Sequence, residues 1–424
     1  MATDSCKKEG AGSLPRMRTE AGHRLFPYPH LTQEDKDYMV VYKCRGEDHG
    51  LLNNYVLNHV YDFVVEKVLP RWLAPNVLTL AGPVPAIIFA CLCHMLPHEM
   101  TDPAVGSTSW IVLNICAGLS VFWFLLMDNV DGKHARHIKW CSPLGDWLDH
   151  ALDIVSYLSI ISSLCILSGL GTTAAWFFSG ITVLTYAIVI WEAQLCGELI
   201  IHPIEACSEG MFLIGCMHFV FTIIGDPTSV LQKVVFVMPK AEFLEPIAMS
   251  GLPITVKFIF ITVEMIVCAM SLFSVVGVVA RLCKQEPVLR VLSAVLGLVV
   301  PLIACFTSSV MFYFKYTEIC EEHHAANVLQ LVAPAIYSIY ICNLCRLMGW
   351  RFTIVETFTR PMPVVFALLP WVLLLVLPPG TVLVVSAACS AGSLVLWFFS
   401  VSIALKNMLG IPLLRVGNKQ EKQN

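Results

Sequence analysis

Residues Met127–Asp153 read MDNVDGKHARHIKWCSPLGDWLDHALD, and Asp153 passes without a polar margin into IVSYLSIISSLCIL at 154–167. The stretch before it, 110–127, is WIVLNICAGLSVFWFLLM. Five aspartates (Asp128, Asp131, Asp146, Asp149 and Asp153) thus stand between two apolar runs. Acidic side chains at the membrane are costly and usually mark function. Asp128 and Asp131 are three apart, so on a helix they share a face. Asp146, Asp149, His150 and Asp153 fall at i, i+3, i+4 and i+7, also one face. Pro143 and Gly145 in CSPLG break the chain between the two sets. The pattern predicts a helix end, a short loop and a helix start, with two acidic faces turned toward each other.

The rest of the chain agrees with a membrane setting. Of 424 residues, 57% are hydrophobic and 14% charged, against roughly 25% charged in soluble proteins. The fold class is therefore all-α polytopic membrane protein. The net charge of -4 comes with no block of like charge, so no nucleic-acid partner is expected. The 17 Cys are scattered through runs such as ACLCHML and VSAACSAGS and read as small core hydrophobes. Without a paired CxxC pattern, a structural zinc site is not expected. The polar N-terminus lacks an apolar core, which argues against a cleaved signal peptide.

A bilayer core needs roughly 20 apolar residues per helix. That ruler gives about ten spans, near 77–96, 110–127, 152–170, 174–191, 211–225, 255–280, 288–312, 328–345, 363–377 and 381–405. The fifth and ninth are short. Residues 1–50 form a polar N-terminal segment, 51–75 an amphipathic interfacial helix and turn, 76–410 the transmembrane domain, with its active-site stretch at 128–153, and 411–424 a tail. In the interfacial helix Leu57, Val60, Tyr61, Val64 and Val68 recur at helical spacing, and Trp72 suits a headgroup-level anchor. Lys and Arg in short loops set orientation. Lys133, Arg136 and Lys139, then Arg281, Lys284 and Arg290, then Arg346, Arg351 and Arg360 all fall on one side. Both termini and the aspartate stretch are expected to face the cytosol.

Several carboxylates close together repel unless cations sit among them. Two divalent ions held by Asp128, Asp131, Asp149 and Asp153 resolve the conflict, and all-oxygen ligation suits Mg²⁺ or Mn²⁺. Such a pair is the clamp used for phosphoryl displacement. Gly132 leaves room for a phosphate beside the backbone, and Arg136 can fork onto its oxygens. Two other readings stand beside this one: a solvated acidic loop, and the ion site of a cation-coupled transporter.

The spacing D-x-x-D-G-x-x-A-R-x8-G-x-x-x-D-x-x-x-D, here Asp128, Asp131, Gly132, Ala135, Arg136, Gly145, Asp149 and Asp153, resembles the signature of the CDP-alcohol phosphotransferases. PRWLAPNVLTLAG, DGKHAR and SPLGDWLDH make the chain similar to the choline/ethanolamine phosphotransferase branch. The resemblance is close over roughly 50–155 and weaker beyond, at WEAQ and HPIEACSEG. It implies transfer of a phospho-alcohol from CDP-ethanolamine or CDP-choline to diacylglycerol, with CMP leaving and a phospholipid forming at the bilayer. By the same resemblance the four aspartates hold two metals. Gly132, Lys133, Arg136 and Gly145 belong to the donor site, and Asn76 contacts the cytidine side. His150, backed by Asp146, is the base, with Asp153 as the runner-up. Ceramide or an inositol is the alternative acceptor.

Three departures bear on this. Asp146 stands where a longer Glu is usual, Ala151 where Gly is common, and KHARHIKWC differs from the usual basic run, with His134 and His137 altering its rim. For the headgroup, Trp140, Trp147, Trp176 and Trp191 could cage a choline, while Glu192, Glu198 and Glu205 could accept an ethanolamine ammonium. The expectation leans to ethanolamine with dual use. Residence in the endoplasmic reticulum is expected, with the Golgi as the alternative, and a homodimer beside a monomer.

Overall fold

Apolar runs of this length leave the chain few options. Backbone groups in lipid must bond within their own segment, so the spans are helices. The computed structural model describes residues 33–40, 46–48, 50–102, 107–196, 199–201, 207–237, 253–349 and 361–416. Arg351, Arg360, Glu198 and Glu205 lie outside these, as do most of HPIEACSEG and of the polar N-terminal segment.

After α1 (Gln33–Val40) comes a helical stretch in which α2 (Asn58–Phe63) is flanked by wider π-type turns at Asn53–Leu57 and Val64–Val68. Then follow α3 (Pro75–Ala81), α4 (Pro83–Met95), α5 (His98–Thr101), α6 (Thr108–His137), α7 (Pro143–Leu167) and α8 (Thr172–Cys196). The second half holds α9 (Cys207–Ile224), α10 (Pro227–Leu231), α11 (Val256–Leu282), α12 (Val288–Lys315) and α13 (Thr317–Glu322). It continues with α14 (His324–Leu347), α15 (Pro361–Leu373) and α16 (Pro379–Leu409). Gly46–Asp48 pairs in parallel with Leu199–Ile201, and Val234–Val237 pairs antiparallel with Pro253–Thr255. These short ladders leave an all-α architecture.

Each of the expected spans falls on a helix. Among the described residues, 7 helical segments are long and apolar enough to cross a membrane: Pro75–Met95, α6, α7, α8, α12, α14 and α16. The shorter apolar helices Ser208–Ile224 and Met362–Leu373 cover the fifth and ninth. The sixth corresponds to α11, which is 27 residues long. The protein is an integral membrane protein.

α14 is the hub. Its apolar window is 94% buried, and it packs on α7, α8, α12, α15 and α16. Outer helices such as α12 and α16 expose Leu289, Ile303, Phe314, Leu396 and Phe399, the surface that lipid would cover. Where α9 crosses α6, Gly118 lets two backbones meet. A Cβ there would lie 2.9 Å from the Phe219 ring, 3.1 Å from His218 Cβ and 3.2 Å from the Gly215 carbonyl. Gly118→Leu should therefore destabilise the fold by ~1–3 kcal/mol through overpacking. Thermal unfolding in detergent would read this as a lowered midpoint. Gly210→Ala, inside α9 with nothing within 4 Å of the added Cβ, should leave the midpoint unlowered or raise it slightly.

The stretch before α3 differs from the single apolar stripe expected of it. Leu57, Tyr61 and Val65 are buried, whereas Val60 and Val68 are exposed beside Tyr55, Val56 and Phe63. The π-type turns bring residues four apart into line, so Leu57, Tyr61 and Val65 make the inner face. A second apolar face is left outward, and Trp72 is 75% exposed beyond it. Two apolar faces fit a segment lying between protein and lipid headgroups.

Candidate active site

The joint between α6 and α7 is tightly built. Trp140 N–H donates to the Ala135 carbonyl at 2.7 Å and Lys139 N–H to Arg136 at 3.2 Å. Lys139 takes the left-handed conformation, φ 58°. This paired closure ends α6 and reverses the chain. Ser142 then caps α7, its Oγ accepting from Gly145 N–H at 3.1 Å, with Pro143 in the first turn. α6 thus continues to His137 and α7 begins at Pro143, so all five aspartates are helical. Lys133 and Arg136, placed in a loop by the sequence, occupy the last turns of α6.

Asp128 from α6 and Asp149 and Asp153 from α7 each offer an oxygen, and these atoms lie within 4.8 Å of one another. Asp131 stands close enough to Asp149 and Asp153 for their charges to repel, but it is not in that group of three. It is buried, and Thr79 Oγ1 of α3 donates to its Oδ2. A set of hard oxygen donors from two helices fits a divalent cation, whose charge would offset the crowding. The cluster can hold a metal ion.

His150 lies beside the cluster. Its Nδ1 is 2.8 Å from Asp146 Oδ1 and 2.9 Å from the Asp146 carbonyl, and 3.9 Å from Asp149 Oδ2. Nδ1 is thus the ring nitrogen turned to Asp146. Asp146 has a second partner. Arg346 of α14 donates from Nη2 to the same Oδ1, with side-chain exposures of 5% and 9% for the pair. Arg346, counted among the loop charges, is thus a buried ion-pair partner in the last turn of α14. Tyr186 from α8 donates to the His150 carbonyl at 2.9 Å, and its hydroxyl lies 3.5 Å from Asp153 Oδ2. Tyr340 from α14 donates to the Ala151 carbonyl at 2.8 Å. The two tyrosines hold consecutive carbonyls and so fix the rotation of α7.

Asn76 sits at the second residue of α3. Its Nδ2 donates to the Leu413 carbonyl at 2.9 Å. Its Oδ1 would lie 3.2 Å from a Cβ at position 145, so Gly145 is what lets α7 start against α3. The Arg136 guanidinium folds back to 3.5 Å from where a Gly132 Cβ would be. Lys133 Nζ pairs with Asp62 Oδ1 at 2.5 Å. Lys133, Arg136 and His137 line a cavity of ≈ 410 Å³ with Asp62, Val65 and Glu66. His134 does not share that rim: it is buried, its Nε2 3.0 Å from the Leu73 carbonyl.

Three of the four tryptophans considered for a choline cage, Trp147, Trp176 and Trp191, are built separately into the core. Trp147 is buried among Tyr340, Trp397 and Phe398. Trp176 stacks on Tyr313, and Trp191 donates to the Ala294 carbonyl at 3.0 Å. Each instead fills the core between its own helices. Glu192 faces Arg281 at 3.5 Å.

A polytopic helical membrane protein with acids from adjoining spans gathered beside a histidine is the class that fold and site define. Residues 72–317 match the CDP-alcohol phosphatidyltransferase family, and the chain belongs to that family. It is 30% identical over 184 residues to choline/ethanolaminephosphotransferase 1 of Arabidopsis thaliana, covering 43% of this chain and 46% of that protein. It is 27% identical over 201 residues to cholinephosphotransferase 1 of Saccharomyces cerevisiae, covering 47% and 49%. It is 28% identical over 292 residues to an uncharacterized CDP-alcohol phosphatidyltransferase class-I family protein 3 of Dictyostelium discoideum, covering 66% and 69%. The matches thus span about half the length of the first two relatives.

Proposed function

We propose that this protein transfers phosphoethanolamine or phosphocholine from the CDP-alcohol to the free hydroxyl of diacylglycerol, releasing CMP and forming a phospholipid. One observation carries the reading: Asp128, Asp149 and Asp153 converge to within 4.8 Å beside His150. The family and the names of the relatives support the reaction class. Asp128, Asp131, Asp149 and Asp153 would hold two Mg²⁺ or Mn²⁺ ions, whose charge would offset that of the diphosphate and of the departing CMP.

The protein's own groups account for the other roles. His150 Nε2 accepts the proton of the attacking hydroxyl, and Asp146 holds the Nδ1–H so that Nε2 keeps its lone pair. The runner-up base, Asp153, is engaged with its fellow carboxylates. Arg136 forks onto a phosphate oxygen, Gly132 admits the phosphate to the backbone, and Lys133 adds attraction for the anionic donor. Asn76 and Gly145 lie where α3, α7 and the segment after α16 meet, a place suited to the cytidine end. The acceptor reaches the site laterally from the bilayer. The same reading puts the site on the cytosolic face of the endoplasmic reticulum or Golgi membrane, and makes 76–410 the catalytic domain.

The test is CMP release by purified protein in lipid, with CDP-choline and CDP-ethanolamine run in parallel on diacylglycerol. Release with either donor should stop on EDTA treatment and return with Mg²⁺ or Mn²⁺. EDTA-resistant transfer would remove the metal role. Vesicle uptake of an organic solute without CMP release would replace the enzyme reading by a transporter.

A further inference from the structure

α14 lies beyond residues 72–317, the part that matches the family, yet it turns a polar face to the start of α7. Tyr340, Asn343 and Arg346 recur at i, i+3 and i+6. Asn343 Oδ1 accepts from Arg346 Nε at 3.3 Å and from Nη2 at 2.9 Å. Arg346 Nη2 also donates to Asp146 Oδ1, the oxygen that lies 2.8 Å from His150 Nδ1. The contacts run in series from Asn343 through Arg346 and Asp146 to His150.

We propose that Arg346 is a positioning residue for the reaction, acting through Asp146 on His150. A buried guanidinium is held only where its charge is matched, and its planar fork fixes the direction of approach. Arg346 therefore selects one Asp146 rotamer. In the observed rotamer the short Asp146 side chain brings its Oδ1 to the imidazole. Asn343 in turn sets the guanidinium. The inference rests on His150 being the base.

The experiment compares wild type, Arg346→Gln, Arg346→Lys, His150→Ala and the His150→Ala/Arg346→Gln pair. Arg346→Gln should lower kcat by ~10–100-fold, as losing the partner that orients an active-site side chain commonly does, with the donor KM nearly unchanged. Arg346→Lys should restore part of the loss. On the His150→Ala background, Arg346→Gln should cost nothing more, because residues acting as a unit are not additive. If Arg346→Gln does not fold, Asp146→Asn/Arg346→Gln removes both charges together and should be as slow as Asp146→Asn alone. A second readout is the ¹⁵N resonance of the His150 ring, assigned by its loss in His150→Ala. It should move from the Nδ1–H form toward a tautomer mixture in Arg346→Gln, and in the double variant it should coincide with that of Asp146→Asn alone. Unchanged kcat with an unchanged ring resonance would overturn the proposal, as would a full multiplicative loss on His150→Ala. A wild type that releases no CMP would defeat the proposed function, while the ring resonance would still decide the role of Arg346.

Discussion

Asp149→Asn is expected to lower CMP release by on the order of 10³-fold, the scale of several kcal/mol of lost metal-ion stabilisation. Asparagine keeps the shape and one oxygen but removes the charge that a divalent cation needs. Asp128→Asn should act alike from the facing helix. The stability effect should have the opposite sign. Each change relieves repulsion within a group of carboxylates confined to 4.8 Å, so the metal-free variant should unfold at a temperature no lower than metal-free wild type. Loss of activity with kept or raised stability separates this account from simple misfolding. Either variant with full transfer would remove the metal cluster from catalysis.

His150→Ala carries the second large effect. A general base contributes ~10²–10⁴-fold, and the loss should appear in kcat with the donor KM little changed. The reason is a division of roles in the proposed function: His150, held by Asp146, handles the hydroxyl proton, while Arg136, Asn76 and Gly145 are assigned to the donor. An unchanged turnover would pass the role to Asp153, whose neighbour Tyr186 is 3.5 Å away. Single-turnover kinetics with saturating diacylglycerol is the measurement that separates the two.

The parts of this site that were readable beforehand are those encoded at helical spacing. Asp146, Asp149, His150 and Asp153 share a face because they are three or four residues apart, and the Pro143 break tells where the second helix starts. The unread parts come from distant helices. Thr79 meets Asp131 across 52 positions, Arg346 meets Asp146 across 200, and Tyr340 meets the Ala151 carbonyl across 189. Spacing rules say nothing about such pairs. A partial signal did exist for Arg346: an arginine that continues an apolar span often pairs with an acid inside the bundle. Counting it as a loop charge hid that.

A similar limit applied to the segment before α3. Ordinary helical periodicity grouped Val60 and Val68 with Leu57 and Tyr61, whereas π-type winding regrouped Leu57, Tyr61 and Val65. Winding of this kind is not read from residue order. The span positions fared better, because hydropathy over a whole helix is a local sum. The two weakest spans are indeed the shorter helices, Ser208–Ile224 and Met362–Leu373.

The account turns on whether acids of α6 and α7 jointly bind a divalent cation. Titrating purified, metal-free protein with Mn²⁺ and following free ion by electron paramagnetic resonance addresses this without any substrate. Wild type should take up Mn²⁺ tightly, and Asp128→Asn and Asp149→Asn, one from each helix, should each weaken that uptake severely. Undiminished binding in both variants would contradict it.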